Sequence, residues 1–63
     1  MSTTAPAAPI AILVVDDDPA LVGAISALLT AGEYTVHAAY NGVEAVEQFD
    51  ATRPALVLSL IHI

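Results

Sequence analysis

Three consecutive carboxylates, Asp16, Asp17 and Asp18, are the side chains of this sequence best suited to chemistry. Adjacent like charges repel, so keeping two of them ionised requires a compensating cation or strong solvation. Mg²⁺ meets that need because it takes oxygen ligands, using one or two carboxylates and several waters, and it neutralises phosphoryl oxygens during transfer. The alternative is structural, because acids favour the positive end of a helix dipole. We favour this second role for Asp18, whereas for Asp16 and Asp17 the spacing leaves both roles open.

The residues before the carboxylates form a continuous aliphatic run, 10–15 (IAILVV). Such a run is too short to span a membrane, and it is typical of a strand buried on both faces of a parallel sheet. Pro19 follows the acids and is favoured at the first position of a helix, which makes Asp18 the natural N-cap. The pattern therefore places Asp16 and Asp17 at the carboxyl end of a central strand, where open α/β sheets bind ligands.

The remaining chain alternates helical and extended patterns. A first helix is predicted from Pro19 to about Ala31, with Gly32 as its C-cap. Residues 34–40 (YTVHAAY) are rich in aromatic and β-branched types and predict a second strand. The apolar face expected for the first helix consists of Leu21, Ile25, Leu28 and Leu29, with Val22 beside them.

A second helix is predicted after the Asn41-Gly42 pair, because Glu44 stands three residues after Asn41 and apolar residues follow. This helix is capped by Asn41 and ends by Arg53, since Pro54 forces its predecessor out of the helical region. A third apolar run covers residues 55–63. The order strand, helix, strand, helix, strand predicts an α/β fold with a parallel sheet and crossover helices.

Composition excludes several classes of function. One basic residue against seven acidic ones gives a net charge of −6, so the chain cannot grip nucleic acid or anionic lipid. The chain has no cysteine, which excludes disulfides. Residues 1–9 are expected to form a disordered tail without the basic residue that starts a signal peptide, and the protein is expected to be soluble and cytoplasmic. The 57% hydrophobic content suits a larger core than 63 residues can close, which indicates a fragment.

The other polar and aromatic side chains predict no chemistry. His37 is expected to face solvent in the second strand, and Tyr34 and Tyr40 are expected to be packing residues. Glu44 and Glu47 are expected to form a solvated face of the second helix. No glycine-rich turn follows the first strand, so a dinucleotide or P-loop phosphate site is unsupported.

The segments ILVVDDDP, YNGVEAVE and RPALVL, in that order, resemble the first half of the receiver domain of bacterial two-component response regulators. The resemblance divides the chain into a tail (1–9), a truncated receiver domain (10–57) and a non-native end (58–63). It implies that Asp16 and Asp17 hold Mg²⁺, and that the fold is half of a flavodoxin-like doubly wound sheet, contributing strands 2, 1 and 3 in that spatial order. It further implies a phosphorelay signalling module, not an enzyme, whose partner is a sensor histidine kinase or phosphotransfer protein.

The chain departs from the family pattern after Pro54. Ala55 replaces an acidic residue, and Leu60 falls where the family has the aspartate that accepts phosphate. Leucine cannot form an acyl phosphate, so the resemblance implies an inactive receiver as written, with no catalytic residue. Residues 58–63 (LSLIHI) match the translation of CTG TCT CTT ATA CAC ATC, which looks like a transposon end used in sequencing libraries. We therefore expect this end to be translated adapter sequence, and the alternative is a genuine strand end.

A phosphatase is the alternative function. Asp16-x-Asp18 after a buried strand superficially fits the nucleophile motif of haloacid-dehalogenase-like, Mg²⁺-dependent phosphatases. Pro19-Ala20 fits poorly where that family favours Gly and Thr, and Asp17 has no role in it.

Overall fold

The computed structural model describes residues 9–60, which form a three-stranded sheet with two helices. The predicted tail, apart from Pro9, and the last three residues of the predicted non-native end lie outside the described residues. The elements in chain order are β1 (Ala11–Val15), α1 (Pro19–Ala31), β2 (Thr35–Ala39), α2 (Gly42–Thr52) and β3 (Leu56–Ser59).

The sheet is parallel with the strand order β2-β1-β3. Leu13 at the centre of β1 pairs with His37 of β2 on one side and with Val57 of β3 on the other. Both the predicted α/β class and the expected spatial order of the three strands are confirmed. The predicted strand boundaries were one residue too long at each end of β2 and one residue too long at the start of β1.

The central strand β1 is buried on both faces, as its continuous aliphatic run predicts. Ile12, Leu13, Val14 and Val15 are each no more than 4% exposed. Because successive side chains of a strand point to opposite faces, Ile12 and Val14 pack with Val22 of α1, whereas Leu13 and Val15 pack on the other face. The two helices therefore cover opposite faces of the same strand.

Helix α1 packs against the sheet through Val22, which is 2% exposed, together with Ile25 and Leu29. The predicted inward positions Leu21 and Leu28 are wrong, since these side chains are 40% and 74% exposed. Each residue turns the helix by about 100°, so the spacing 22, 25, 29 defines an inward face that excludes both leucines. Periodicity located the helix correctly but assigned a buried face rotated by about half a residue, or about 50°, from the observed one.

The end of α1 has the hydrogen bonds of a Schellman motif. Gly32 is the C-cap, as predicted, with φ −84°, and the following Glu33 takes the left-handed conformation with φ 69°. The Glu33 N–H donates to the Thr30 carbonyl at 2.9 Å, and the Tyr34 N–H donates to the Leu29 carbonyl at 3.1 Å. These bonds satisfy carbonyls that the helix itself leaves without partners.

Helix α2 begins with reciprocal capping bonds. The Glu44 N–H donates to Asn41 Oδ1 at 2.8 Å, and the Tyr40 N–H donates to Glu44 Oε1 at 2.8 Å. The predicted cap at Asn41 is confirmed. The helix ends at Thr52 before Arg53, which is left-handed with φ 47° and precedes Pro54, as predicted.

Three surface expectations need correction. Glu44 is half-buried and bonded within the cap, so only Glu47 belongs to a solvated face of α2. Tyr34 and Tyr40 are 39% and 41% exposed because both flank β2 beyond its paired residues, so neither is a core residue. His37 is half-buried, not fully exposed to solvent, because it stands beside Leu13 in the sheet.

Strand β3 is the least covered element of the described chain. Neither α1 nor α2 contacts it within residues 9–60, and Leu56 and Val57 are 55% and 42% exposed. In the part of the chain that the structure describes, neither helix has the length and apolar character required to cross a membrane.

Candidate metal site at the carboxyl end of the central strand

The three carboxylates lie at the carboxyl end of β1, where the sequence predicts them. Asp16 immediately follows the strand and is only 5% exposed, and its N–H donates to the Ala39 carbonyl of β2 at 3.1 Å. Asp17 and Asp18 are exposed. The site therefore combines one buried acid with two that face solvent.

Asp16 organises the turn that leaves the strand. Its Oδ1 accepts the Asp18 N–H at 2.9 Å, a bond between residues two apart that is typical of an Asx-turn. Among the described residues, no buried side-chain oxygen or nitrogen lacks a hydrogen-bond partner. One oxygen of Asp16 is thus committed to the turn, and the other remains available to a ligand.

Asp18 performs the structural role that we favoured for it. Its Oδ1 accepts the N–H groups of Ala20 at 3.0 Å and Leu21 at 3.4 Å, and its backbone is extended, as an N-cap requires. The carboxylate also lies at the positive end of the α1 dipole. Helix capping accounts for Asp18 without a metal.

Asp17 has no such structural role. Within residues 9–60 its carboxylate accepts no hydrogen bond, and it is exposed beside the buried Asp16. Its oxygens and the second oxygen of Asp16 belong to adjacent residues at the same end of β1, and they are the two carboxylates from which a donor set could be built. This set fits Mg²⁺, which binds through one or two carboxylates and fills its other positions with water. No group of three or more potential metal ligands occurs in the described region, so any cation here is held mainly by water.

Leu60 is the third position that the structure brings to this site. Its N–H donates to the Val15 carbonyl at 3.0 Å, and the register that pairs Val15 with Ser59 continues to place Leu60 beside Asp16. The Leu60 side chain is 42% exposed and offers no oxygen. The position expected to carry the phosphoacceptor therefore adjoins the acidic pair, while its side chain is chemically inert.

Within residues 9–60, no lysine or arginine lies beside the acidic end of the sheet. Arg53 is the one Lys or Arg of the sequence. It lies over the Phe49 ring, 5.7 Å from the ring centroid, and precedes Ala55, whose N–H donates to the Ala11 carbonyl at the amino end of β1. Because Arg53 is at the opposite end of the sheet, solvent or a bound cation must balance the carboxylates.

The structure separates the other polar candidates from this site. His37 pairs with Leu13, three residues before Asp16, which corresponds to about 10 Å along a strand. Asn41 and Glu44 lie after β2 and use their side-chain oxygens in the α2 cap. Neither group adds a ligand to the carboxylate pair.

Sequence reasoning missed one function of Asp16, which is the acceptance of the Asp18 N–H. The signal was present, because an aspartate two residues before a helix cap commonly accepts a backbone N–H in this way. The interpretation of Asp16 as a ligand considered only its charge. The geometry shows that its two oxygens have different environments.

No family model matches this chain, and no curated protein matches it in sequence.

Proposed function

We propose that this chain is part of a receiver module of a two-component response regulator, in which Asp16 and Asp17 hold Mg²⁺ beside a phosphoacceptor position occupied here by Leu60. The partner of the intact module is a sensor histidine kinase or a phosphotransfer protein in the cytoplasm. The module relays a signal and is not an enzyme. Because leucine occupies position 60, the chain does not accept a phosphoryl group there.

One observation carries the proposal. The acidic pair follows the central strand β1, and Leu60 follows the neighbouring strand β3, with its N–H bonded to the Val15 carbonyl at 3.0 Å. Ligands of open α/β sheets bind at the carboxyl ends of the strands. A phosphoryl group attached at position 60 would therefore lie next to the two carboxylates, and a divalent cation would offset the resulting repulsion.

Each of the three aspartates has a different role at this site. Asp18 fixes the start of α1, and Asp16 holds the turn through one oxygen. Asp17 and the other Asp16 oxygen are left for the cation. When bound, Mg²⁺ supplies charge neutralisation of phosphoryl oxygens. A side chain that can take the phosphoryl group is the missing component, and position 60 is where it must stand.

Restoring that component tests the proposal. Acetyl phosphate and MgCl₂ are added to the wild-type chain, to Leu60→Asp and to Leu60→Asn, and covalent phosphate is measured by intact-protein mass spectrometry. In Leu60→Asp, the introduced carboxylate attacks phosphorus, an acyl phosphate forms and acetate leaves. We expect a phosphoryl adduct, labile to hydroxylamine, only in Leu60→Asp. Leu60→Asn is the matched control because it has the same shape without the nucleophilic carboxylate.

The dependence on the acidic pair is the second half of the test. Adding Asp17→Asn to Leu60→Asp is expected to reduce the initial rate of phosphorylation by about tenfold or more, since the carboxylate pair becomes a single carboxylate. Mn²⁺, used as a paramagnetic probe of the wild-type chain, should broaden the amide signals of residues 16–18 and 60 first. Phosphorylation of the wild-type chain, phosphorylation of Leu60→Asp without Mg²⁺, or an undiminished rate when Asp17→Asn is added would contradict the proposal.

The phosphatase alternative makes a different prediction for the wild-type chain. It requires turnover of p-nitrophenyl phosphate with Mg²⁺, and loss of that turnover in Asp16→Asn. The geometry favours it less, because Asp18, the second aspartate of that motif, already accepts two helix N–H groups. Turnover by the wild-type chain would replace the signalling proposal with this one.

A further inference from the structure

We propose that Asn41 is a modification site, at which the backbone of this chain itself converts the side-chain amide to a carboxylate. The rate of this deamidation depends on how often the first turn of α2 opens. The proposal does not depend on the signalling function. It rests on the Asn41-Gly42 pair, on the space around Gly42 and on the hydrogen bonds that hold Asn41.

The reaction needs only the Asn41-Gly42 pair and water. Glycine has no β carbon, so its backbone nitrogen approaches the preceding side chain more easily than that of any other residue. The Gly42 nitrogen gives up its proton to a solvent base and attacks Cγ of Asn41. The bond between Cγ and Nδ2 then breaks, and ammonia leaves after taking up a proton. The product is a cyclic imide, which water opens at one of its two carbonyl carbons, so the overall reaction consumes water and releases ammonia.

The structure leaves the attacking nitrogen accessible. Asn41 and Gly42 are both exposed, so solvent base and water reach them. Gly42 is the first residue of α2, and its N–H therefore has no carbonyl one turn earlier in the helix to which it could donate. A β carbon built on Gly42 would meet no other part of residues 9–60 within 4 Å. Neither a hydrogen bond of the helix nor a neighbouring side chain protects this nitrogen.

The cap of α2 holds Asn41 away from the reactive geometry. Ring closure requires the Gly42 nitrogen to eclipse Cβ of Asn41 about the Cα–C bond, whereas at ψ 174° the two are staggered. Oδ1 of Asn41 accepts the Glu44 N–H at 2.8 Å, and Glu44 Oε1 accepts the Tyr40 N–H at 2.8 Å. The side chain and backbone of Asn41 cannot rotate into the reactive geometry unless these bonds break. Deamidation therefore proceeds from the fraction of molecules in which the cap is open.

The two products have different effects on α2. Attack of water on Cγ gives aspartate, which caps a helix as well as asparagine does and is favoured at the positive end of the dipole. Attack on the main-chain carbonyl carbon gives isoaspartate, in which the main chain runs through Cβ and Cγ. The additional backbone carbon moves the carboxylate away from the Glu44 N–H, so the cap is lost. Either product adds a negative charge after β2, whose Ala39 carbonyl accepts the Asp16 N–H.

Mass spectrometry of the intact chain measures the reaction, because Asn41 is the only asparagine of the sequence. The full-length wild-type chain is incubated in neutral buffer at physiological temperature beside Gly42→Ala and Asn41→Ser. We expect the wild-type chain to gain the mass of a single deamidation, and Gly42→Ala to do so about tenfold or more slowly. Gly42→Ala is the matched control because the added methyl group has space and Gly42 does not have a positive φ. Asn41→Ser keeps a capping oxygen without an amide and should gain no mass.

Two substitutions at Glu44 test the dependence on the cap. Glu44→Ala removes the acceptor of the Tyr40 N–H and should speed deamidation about fivefold, the effect of one lost hydrogen bond on cap opening. Glu44→Gln keeps an oxygen that accepts this N–H and should stay within about twofold of wild type. The wild-type chain unfolded in urea has no cap and should react about tenfold or more faster than the folded chain.

Three results would overturn the proposal. The first is a folded wild-type chain that gains no mass while the unfolded chain converts completely. The second is an equal rate for wild type and Gly42→Ala. The third is an equal rate for Glu44→Ala and Glu44→Gln, or for the folded and unfolded wild-type chain. If circular dichroism shows that Glu44→Ala does not fold, the comparison of folded with unfolded wild type decides whether the cap controls the rate.

Discussion

Replacing Glu33 by glycine should stabilise the protein, although it removes a side chain. Glu33 follows the C-cap of α1 with φ 69°, where a residue with a β carbon costs about 1–2 kcal/mol that glycine does not. Glycine also gives the unfolded chain more conformational entropy, which lowers the free energy of unfolding by about 0.4–1 kcal/mol. We expect the free energy of unfolding to rise by about 0.5–1 kcal/mol, or roughly 2–8 °C in Tm for a chain of this size.

Thermal unfolding followed by far-UV circular dichroism measures this effect, at one fixed protein concentration. Glu33→Ala separates charge from backbone conformation: it removes the same carboxylate from the negative end of the α1 dipole but keeps the β carbon. Glu47→Gly is the matched control inside helix α2, where glycine should cost about 1 kcal/mol. The reasoning fails if Glu33→Gly is no more stable than Glu33→Ala, or if both glycine variants shift Tm in the same direction.

Two further predictions concern the core and the acidic turn. Val22 is 2% exposed and is the buried residue through which α1 packs on the sheet. Val22→Ala should lower the free energy of unfolding, measured by urea titration, by about 2 kcal/mol. An unchanged urea midpoint would show that α1 does not pack as described. Asp18→Ala removes the α1 cap and should lower the free energy of unfolding by about 1 kcal/mol. The Asp17 carboxylate accepts no hydrogen bond from residues 9–60, so Asp17→Ala should change the free energy of unfolding by less than about 0.5 kcal/mol. Equal losses from these two substitutions would contradict the separate roles of Asp17 and Asp18.

Local signals were sufficient for the order and type of every element. The aliphatic run before Asp16 could only be a strand with both faces covered, and Pro19 and Asn41 marked where the helices begin. These signals act within a few residues, so they do not depend on the rest of the fold. No local pattern predicted the strand order, which was expected from the family resemblance alone.

The buried face of each helix was harder to predict. Leu28 and Val46 are apolar at helical spacing and yet are 74% and 64% exposed. Helical periodicity describes a stripe of about 100°, and α1 and α2 each carry more apolar residues than one stripe can bury. Only the position of the sheet decides between neighbouring stripes, and that position is a tertiary property.

The candidate site was partly predictable for a related reason. Placing the acids after β1 needed only the strand and helix signals, whereas the position of Leu60 beside Asp16 depends on the pairing of β1 with β3. The division of roles among the acids depends on which oxygen accepts which N–H group. Charge alone cannot predict this, because Asp16 and Asp17 are the same residue type with different exposure.

Strand β1 lies between β2 and β3, which do not pair with each other. The whole sheet therefore depends on β1. Either outer strand can detach while the other pairing survives, but loss of the middle one leaves nothing paired. Amide hydrogen exchange should therefore show a hierarchy, with β3 opening first because neither helix of residues 9–60 contacts it, and Leu13 and Val14 exchanging only when the whole sheet comes apart.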